Sequence, residues 1–127
     1  MRMILLMTRA FVIHLHTGYG PAHYDLMVEQ EEALATWQLS GSPGELQPGD
    51  ACPARRLPDH RKAYLTYEGP VSRGRGEVER IDRGTCQAIE AEEARWHIRL
   101  EGGRLVGEFE LRQADGDDWT LSRLSQS

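Results

Sequence analysis

The sequence has 127 residues, of which 28% are charged, and its formal net charge is −5. This length suits a single domain over residues 1–127 with its own core, and the mixed charges are not typical of a disordered chain. The negative net charge argues against a protein that coats nucleic acid, since such a protein needs a basic surface, although a local basic patch could still engage the end of a strand.

Cysteine content and hydropathy bear on the redox compartment of the protein and on whether it enters a membrane. The two cysteines, Cys52 and Cys86, lack the CxxC spacing of a metal or redox site, so we predict free thiols in a reducing cytoplasm. No apolar run approaches the roughly 20 residues that span a bilayer, and we predict no membrane partner. Thr8 and Arg9 interrupt the apolar opening residues 1–7, which we interpret as a first strand or a frayed lead-in and not as a signal peptide.

Two segments near the start of the chain alternate with the period of two that a β-strand requires. Residues 11–16 (FVIHLH) and 23–29 (HYDLMVE) each place large apolar side chains on one face. Their opposite faces carry histidines and carboxylates in place of the usual Lys, Thr and Ser. Residues 17–21 (TGYGP) between them have turn composition, so we predict a β-hairpin whose polar faces meet on one side of a sheet.

The middle of the chain predicts one strand, a long loop and another strand. Residues 33–39 form the first of these strands, with Trp37 and Leu39 as expected core residues. Residues 40–58 are rich in Gly, Pro and Ser and predict a loop of the length that is often functional in compact domains. Residues 60–68 alternate and predict the next strand.

The last part of the chain predicts further short strands. They lie at residues 77–82, 96–100, 105–111 and 119–124. Gly102 and Gly103 indicate a two-residue hairpin turn, whereas residues 85–94 fit either a strand with a loop or a short helix. The total of about eight short strands predicts an all-β barrel or sandwich.

The polar faces of the predicted hairpin contain the strongest candidates for chemistry. His23 and Asp25 share a strand face, and His16 comes from the partner strand. Two imidazoles and one carboxylate suit Mn²⁺, Zn²⁺ or Fe²⁺, with positions left open for water or substrate. The alternative is a solvated polar face, or histidines satisfied by neighbouring carboxylates.

Two more residues on these faces have open roles. His14 could be a fourth ligand, support a ligand or contact phosphate, or it could be a rim histidine without a role. Glu29 could orient a ligand histidine or a bound water, or it could end an exposed strand.

A second group lies on the predicted strand at residues 60–68. His60 and Tyr64 could contact phosphate oxygens, and the histidine could act as a general acid. The alternative is a polar outer face with a partly buried tyrosine. Basic residues that could contact a nucleic-acid backbone, or only a solvent-exposed charged face, are Arg55, Arg56, Arg61, Lys62, Arg73 and Arg75.

Several segments, in the same order, resemble the 3′-phosphoesterase family of bacterial DNA ligase D. HYDLMVE at residues 23–29 resembles its HYD-centred strand, and DHRKAYLTYEGPV at residues 59–71 resembles its DH…Y…EG segment. GEVERIDRGT at residues 76–85 is similar to its strand that ends in a DRGT turn. FVIHLH, TWQLSGSP, LEGGRLVGEFELRQ and DDWTLSRL extend the resemblance from Phe11 to Leu124.

The resemblance implies a compact β-barrel of about eight mostly antiparallel strands. It implies a Mn²⁺-dependent hydrolase of DNA repair, which removes a terminal ribonucleoside and then a 3′-phosphate; Zn²⁺ or another transition metal is the alternative. The metal ligands fall on His16, His23 and Asp25, and the phosphate-contacting catalytic pair falls on His60 and Tyr64. Substrate contacts are also expected from His14, Glu29, Arg61 and Lys62. The expected partners are a DNA 3′ end on a primer–template and other end-joining repair proteins.

The chain also departs from the family pattern. Met27 stands where the family has an arginine, and a thioether cannot bind phosphate in the bidentate way of a guanidinium. The family's polar segment before the first strand is not recognisable in residues 1–10, the loop after Gly69 is shorter, and the turn before His23 is one residue longer.

These observations predict a metal-dependent phosphoesterase that processes 3′ ends of DNA. One alternative, favoured by Met27, is a non-catalytic module that binds a metal or a DNA end. Another is a phosphoesterase for a small phosphorylated metabolite. No ligase or polymerase domain is visible, so we expect the domain to act alone or through partners.

Overall fold

A computed structural model of the chain describes residues 7–125. The residues before Met7, which the sequence suggests as a first strand or lead-in, lie outside this range. Two short 3₁₀ helices, at Pro43–Glu45 and Lys62–Leu65, accompany the strands. The strands are β1 (Met7–Thr17), β2 (His23–Glu29), β3 (Leu34–Leu39), β4 (Ala51–His60), β5 (Gly69–Pro70), β6 (Glu77–Ala91), β7 (Arg95–Gly102), β8 (Val106–Asp115) and β9 (Asp118–Arg123).

The strands form a closed antiparallel barrel. Their order is β1-β2-β3-β4-β9-β8-β7-β6, and β6 pairs back with β1, so that eight strands complete the circle. The short strand β5 pairs with β6 and is the ninth strand of the part of the chain that the structure describes. Closure leaves these eight strands without an unpaired edge. The predicted all-β barrel is therefore confirmed.

Alternating apolar side chains fill the barrel. Trp37, which is fully buried, contacts Trp96 and Trp119 edge-to-face, with ring centroids 5.0 and 5.7 Å apart. The guanidinium of Arg56 lies 4.4 Å from the Trp37 ring centroid and adds a cation–π contact. Leu39 is also fully buried, so the two core residues predicted for this strand are confirmed.

Two predictions for the middle of the chain were wrong. Residues 40–58 are not one long loop, because they contain the first 3₁₀ helix and most of β4. Strand β4 pairs with both β3 and β9, and this pairing outweighs the turn composition of its prolines. Residues 60–68 are not a strand, since β4 ends at His60 and the second 3₁₀ helix follows. Tyr64 and Leu65 of that helix pack against a small apolar cluster.

Residues 77–82 and 85–91 lie in the single long strand β6, and residues 92–94 connect it to β7. Of the two alternatives for residues 85–94, the strand with a loop is therefore confirmed and the helix is wrong. The DRGT sequence is not a turn but lies inside this strand, next to an irregularity in its pairing with β1. The β7–β8 hairpin exists as predicted, but its connection is longer than two residues. Glu101 pairs with Val106, and the N–H of Gly102 donates to the carbonyl of Leu105.

The structure also bears on the cysteines and on membrane-spanning helices. Cys52 and Cys86 are both free thiols, as predicted. None of the helices in the described part of the chain has the length and apolar character needed to cross a membrane.

Candidate metal centre

The β1–β2 hairpin brings the predicted metal ligands together. In its register His16 lies opposite His23, and His14 lies opposite Asp25. The rings of His16 and His23 are 4.8 Å apart between centroids. Because side chains alternate along a strand, Asp25 lies on the same face as His23. The predicted hairpin and the meeting of its polar faces are thus confirmed.

The donor atoms of these three residues are close enough to share a cation. His23 Nε2 is 3.4 Å from Asp25 Oδ1, and His16 Nδ1 is 3.9 Å from Asp25 Oδ2. One ligand atom from each residue lies within 4.8 Å of the others. Ligands bound at about 2.1 Å and separated by tetrahedral or octahedral angles would be about 3.0–3.4 Å apart. To hold a cation, the most widely separated of these atoms would therefore move closer by up to about 1.4 Å.

Backbone carbonyls fix which ring nitrogen is available. Nε2 of His16 donates to the carbonyl of Arg75 at 2.7 Å, and Nδ1 of His23 donates to the carbonyl of Pro21 at 3.3 Å. Metal-binding histidines commonly use this arrangement, because it leaves the other nitrogen unprotonated. In both rings the remaining nitrogen is the one that faces Asp25.

The carboxylate of Asp25 also fits a cation. Its side chain is buried, and within the described residues Oδ1 accepts no well-directed hydrogen bond. Burial raises the pKa of Asp25, while the neighbouring His23, His60 and His16 act in the opposite direction. A buried acceptor without a donor, beside two unprotonated imidazole nitrogens, is an environment that a divalent cation would satisfy.

The predicted metal ligands line one wall of a cavity of about 230 Å³, which we name the metal cavity. His60 and Tyr64, the predicted phosphate-contacting pair, line the same cavity, with their ring centroids 5.8 Å apart. His60 donates from Nδ1 to the carbonyl of Pro58 at 3.0 Å, which leaves its Nε2 available. The sequence interpretation placed this pair on a strand, whereas the 3₁₀ helix brings Tyr64 back toward the cavity.

His14 lies deeper than a rim position. It is only 1% exposed, its Nε2 has no hydrogen-bond partner among the described residues, and its ring is edge-on to Tyr64. Burial, and to a smaller extent the charge of Arg80, lower its pKa to about 4. A neutral imidazole therefore forms part of the cavity wall near neutral pH.

Three other predicted substrate contacts lie elsewhere. Glu29 accepts the backbone N–H of Ala10 at 3.2 Å and pairs with Lys62 at 3.6 Å, and neither side chain lines the cavity. Their observed contacts connect β1, β2 and the second 3₁₀ helix. Arg61 lines a neighbouring groove.

The loop after β5 contributes a backbone contact to His16 that the sequence did not indicate. Arg75 lines the cavity and supplies the carbonyl that holds His16, while its guanidinium is bonded to Ser72. Gly76 has a φ of 77°, and a side chain there would collide with the Thr17 carbonyl. The glycines of RGRG were the available signal, since such residues allow close backbone approach.

The closed barrel thus carries a cavity of imidazoles, one carboxylate and one phenol, groups that can hold a divalent cation and contact phosphate oxygens. A family model described as the DNA Ligase D 3′-phosphoesterase domain matches residues 14–113, which include every predicted site residue. This chain belongs to that family, and the resemblance found in its sequence is confirmed.

Two similar proteins come from mycobacteria. The chain is 30% identical over 123 residues to the multifunctional non-homologous end joining protein LigD of Mycobacterium bovis. It has the same identity to the multifunctional non-homologous end joining DNA repair protein LigD of Mycobacterium tuberculosis. Each match covers 90% of this chain but 16% of the relative, so the chain spans only a small part of their length.

Proposed function

We propose that this domain is a Mn²⁺-dependent phosphoesterase that processes 3′ ends of DNA during repair by end joining. The observation that carries the proposal is the meeting of two residue groups in one cavity. His16, His23 and Asp25 form a ligand set, and His60 and Tyr64 face the same space. Family membership and the names of the mycobacterial relatives support DNA ends as the substrate.

Each group would have a distinct task. A divalent cation held by the three ligands would polarise a phosphoryl oxygen and neutralise charge that develops on it. Water would attack phosphorus and lose a proton to solvent while the bond to the leaving oxygen breaks. His60, when Nε2 also carries a proton, would donate that proton to the leaving oxygen. The Tyr64 hydroxyl would donate a hydrogen bond to a non-bridging oxygen and so orient the phosphate.

A second candidate function is a non-catalytic module that binds a metal or a DNA end. The observation in its favour is Met27, which is 1% exposed, lines the cavity and replaces the arginine expected from the family pattern. It cannot supply the two charge-assisted hydrogen bonds of a guanidinium. A module of this kind would bind the end without turnover.

A gel assay separates these functions. A 5′-labelled primer–template ending in one ribonucleotide, or in a 3′-phosphate, is incubated with Mn²⁺, with Mg²⁺ or with chelator. We expect shortening or dephosphorylation with Mn²⁺ in the wild type and its loss in His23→Ala and Asp25→Ala. His97→Ala is the matched control, because His97 pairs with Glu108 on β8 and does not line the cavity.

Three outcomes contradict the proposal in different ways. Full activity in both ligand variants would remove the metal centre from the mechanism. Metal-dependent binding of the DNA end without any product would support the binding module. Turnover of small phosphorylated metabolites with no action on DNA would show that the domain is a phosphoesterase for such metabolites.

A further inference from the structure

A second depression, which we name the tyrosine groove, adjoins the metal cavity. It has a volume of about 340 Å³ and is lined by Arg61, Ala63, Tyr64, Tyr67, Pro70 and Val71. Tyr64 and Val71 line the metal cavity as well. The two spaces therefore share a wall, and a ligand whose phosphate occupied the first would extend naturally into the second.

Tyr67 is held in place although its ring is open to solvent. The side chain is 37% exposed, the hydroxyl donates to the carbonyl of Pro70, and the backbone N–H donates to the carbonyl of Ala63 at 3.2 Å. Its ring stands edge-to-face on Tyr64, with centroids 5.7 Å apart. An exposed ring that is already ordered loses little conformational entropy when a ligand packs on it.

The groove also contains a positively charged side chain. Arg61 is exposed, and its guanidinium has no ion-pair partner among residues 7–125. An ordered aromatic ring, a proline face and an unpaired guanidinium suit a ligand that has a flat ring and an anionic backbone. A nucleotide has both, and stacking accepts any base because every base has a π face.

We propose that the tyrosine groove binds the base of the nucleotide whose 3′-phosphate enters the metal cavity. The base stacks on Tyr67, and Arg61 contacts the backbone phosphate on the 5′ side of that nucleotide. This inference rests on the proposed function and makes it more specific. The domain would recognise a 3′ terminus through one unpaired, stacked base, without preference for its sequence.

The binding of two oligonucleotide probes to the wild-type protein tests this inference. The probe is a fluorescent single-stranded oligonucleotide that ends in a 3′-methylenephosphonate, whose phosphorus–carbon bond resists hydrolysis. A second probe lacks only the terminal base. With Mn²⁺ present, we expect the wild type to bind the intact probe about tenfold more tightly, as is typical for one stacked base.

Protein variants complete the comparison. Tyr67→Ala should bind both probes as weakly as the wild type binds the abasic probe, because the lost base and the lost ring belong to one contact. Tyr67→Phe should keep most of the discrimination, since the ring remains. Val106→Ala, which removes an exposed apolar side chain from the β7–β8 hairpin, should bind like the wild type.

The outcomes separate this inference from the proposed function. Binding that needs Mn²⁺ and is lost in His23→Ala, but that is equal for the intact and abasic probes, would overturn the stacking site alone. The groove would then belong to another occupant, such as an apolar segment of a protein. Binding that is indifferent to chelator and to His23→Ala would refute the metal-centred function, and the stacking site with it.

Discussion

Removing the carboxylate of Asp82 should strongly destabilise the barrel. The side chain is 9% exposed and accepts backbone N–H groups of Gly103 and Leu105, each at 2.8 Å, as well as longer bonds from Arg104. It also accepts the N–H of Arg83 at 2.8 Å. One carboxylate therefore ties the β7–β8 connection to the middle of β6, and its loss leaves several partly buried donors without an acceptor.

The size of the effect follows from these bonds. Each hydrogen bond to a charged group contributes about 1.5 kcal/mol or more, so losing the two short bonds to the hairpin alone gives a destabilisation of about 3 kcal/mol in Asp82→Ala. For a domain of this size, that change lowers the melting temperature by roughly 10 °C. Thermal and urea unfolding followed by circular dichroism measure it directly.

Glu101→Ala is the matched control for Asp82→Ala. Glu101 lies in the same hairpin, but it is exposed, and among residues 7–125 its carboxylate pairs with Arg99 alone, at 2.9 Å. Its loss should change the free energy of unfolding by no more than about 0.5 kcal/mol. A melting temperature of Asp82→Ala within about 3 °C of the wild type would refute the assignment of the carboxylate as the anchor of the hairpin.

Three further predictions concern the site and the thiols. Gly76→Ala should weaken Mn²⁺ binding by about tenfold or more in a calorimetric titration. The added methyl group forces the loop away from Thr17, so that the Arg75 carbonyl no longer orients His16. Unchanged affinity would show that this contact is dispensable. His14 has a pKa near its ordinary value of 6.5 in the unfolded chain but of about 4 in the folded barrel. Because the unfolded chain binds the proton more readily, the free energy of unfolding in chelator should fall by up to roughly 3 kcal/mol as the pH decreases from about 6.5 to about 4. His14→Leu should lack this pH-dependent part of the stability. Burial raises the pKa of the Cys86 thiol to about 12, so in the native protein a disulfide reagent at pH 8 should modify the partly exposed Cys52 first and Cys86 only after unfolding; equal rates would contradict the burial of Cys86.

The parts of the fold that the sequence predicted are those governed by alternation. The bounds predicted for β2, 23–29, are those observed, and the pairing of His16 with His23 follows from two alternating segments around a short turn. A period of two also fixes which side chains share a face, so the ligand set could be proposed without a structure.

Other features depend on contacts between distant segments, which a local pattern does not encode. The prolines and glycines of residues 40–58 predicted a loop, but β4 forms there because β3 and β9 pair with it on both sides. His60 and Tyr64 meet through a 3₁₀ turn instead of a strand face. The hydrogen bond from His16 to Arg75 spans 59 positions, and neither residue type predicts a contact made by a backbone carbonyl.

The replacement of the family arginine by Met27 changes the support of the site as well as its charge. Met27 packs with Val12 and Leu34 in an apolar cluster that also contacts Tyr64 and Leu65. The same side chain therefore lines the cavity and supports the 3₁₀ helix that carries Tyr64. An arginine at this position would place a charge in an apolar cluster, which is costly unless the charge is paired. In the free protein, Met27→Arg would thus weaken the packing beneath Tyr64. With phosphate bound, the new guanidinium would gain a partner that offsets this cost. In the proposed function, the positive charge offered to a phosphate would accordingly come from a cation held by His16, His23 and Asp25 more than from position 27.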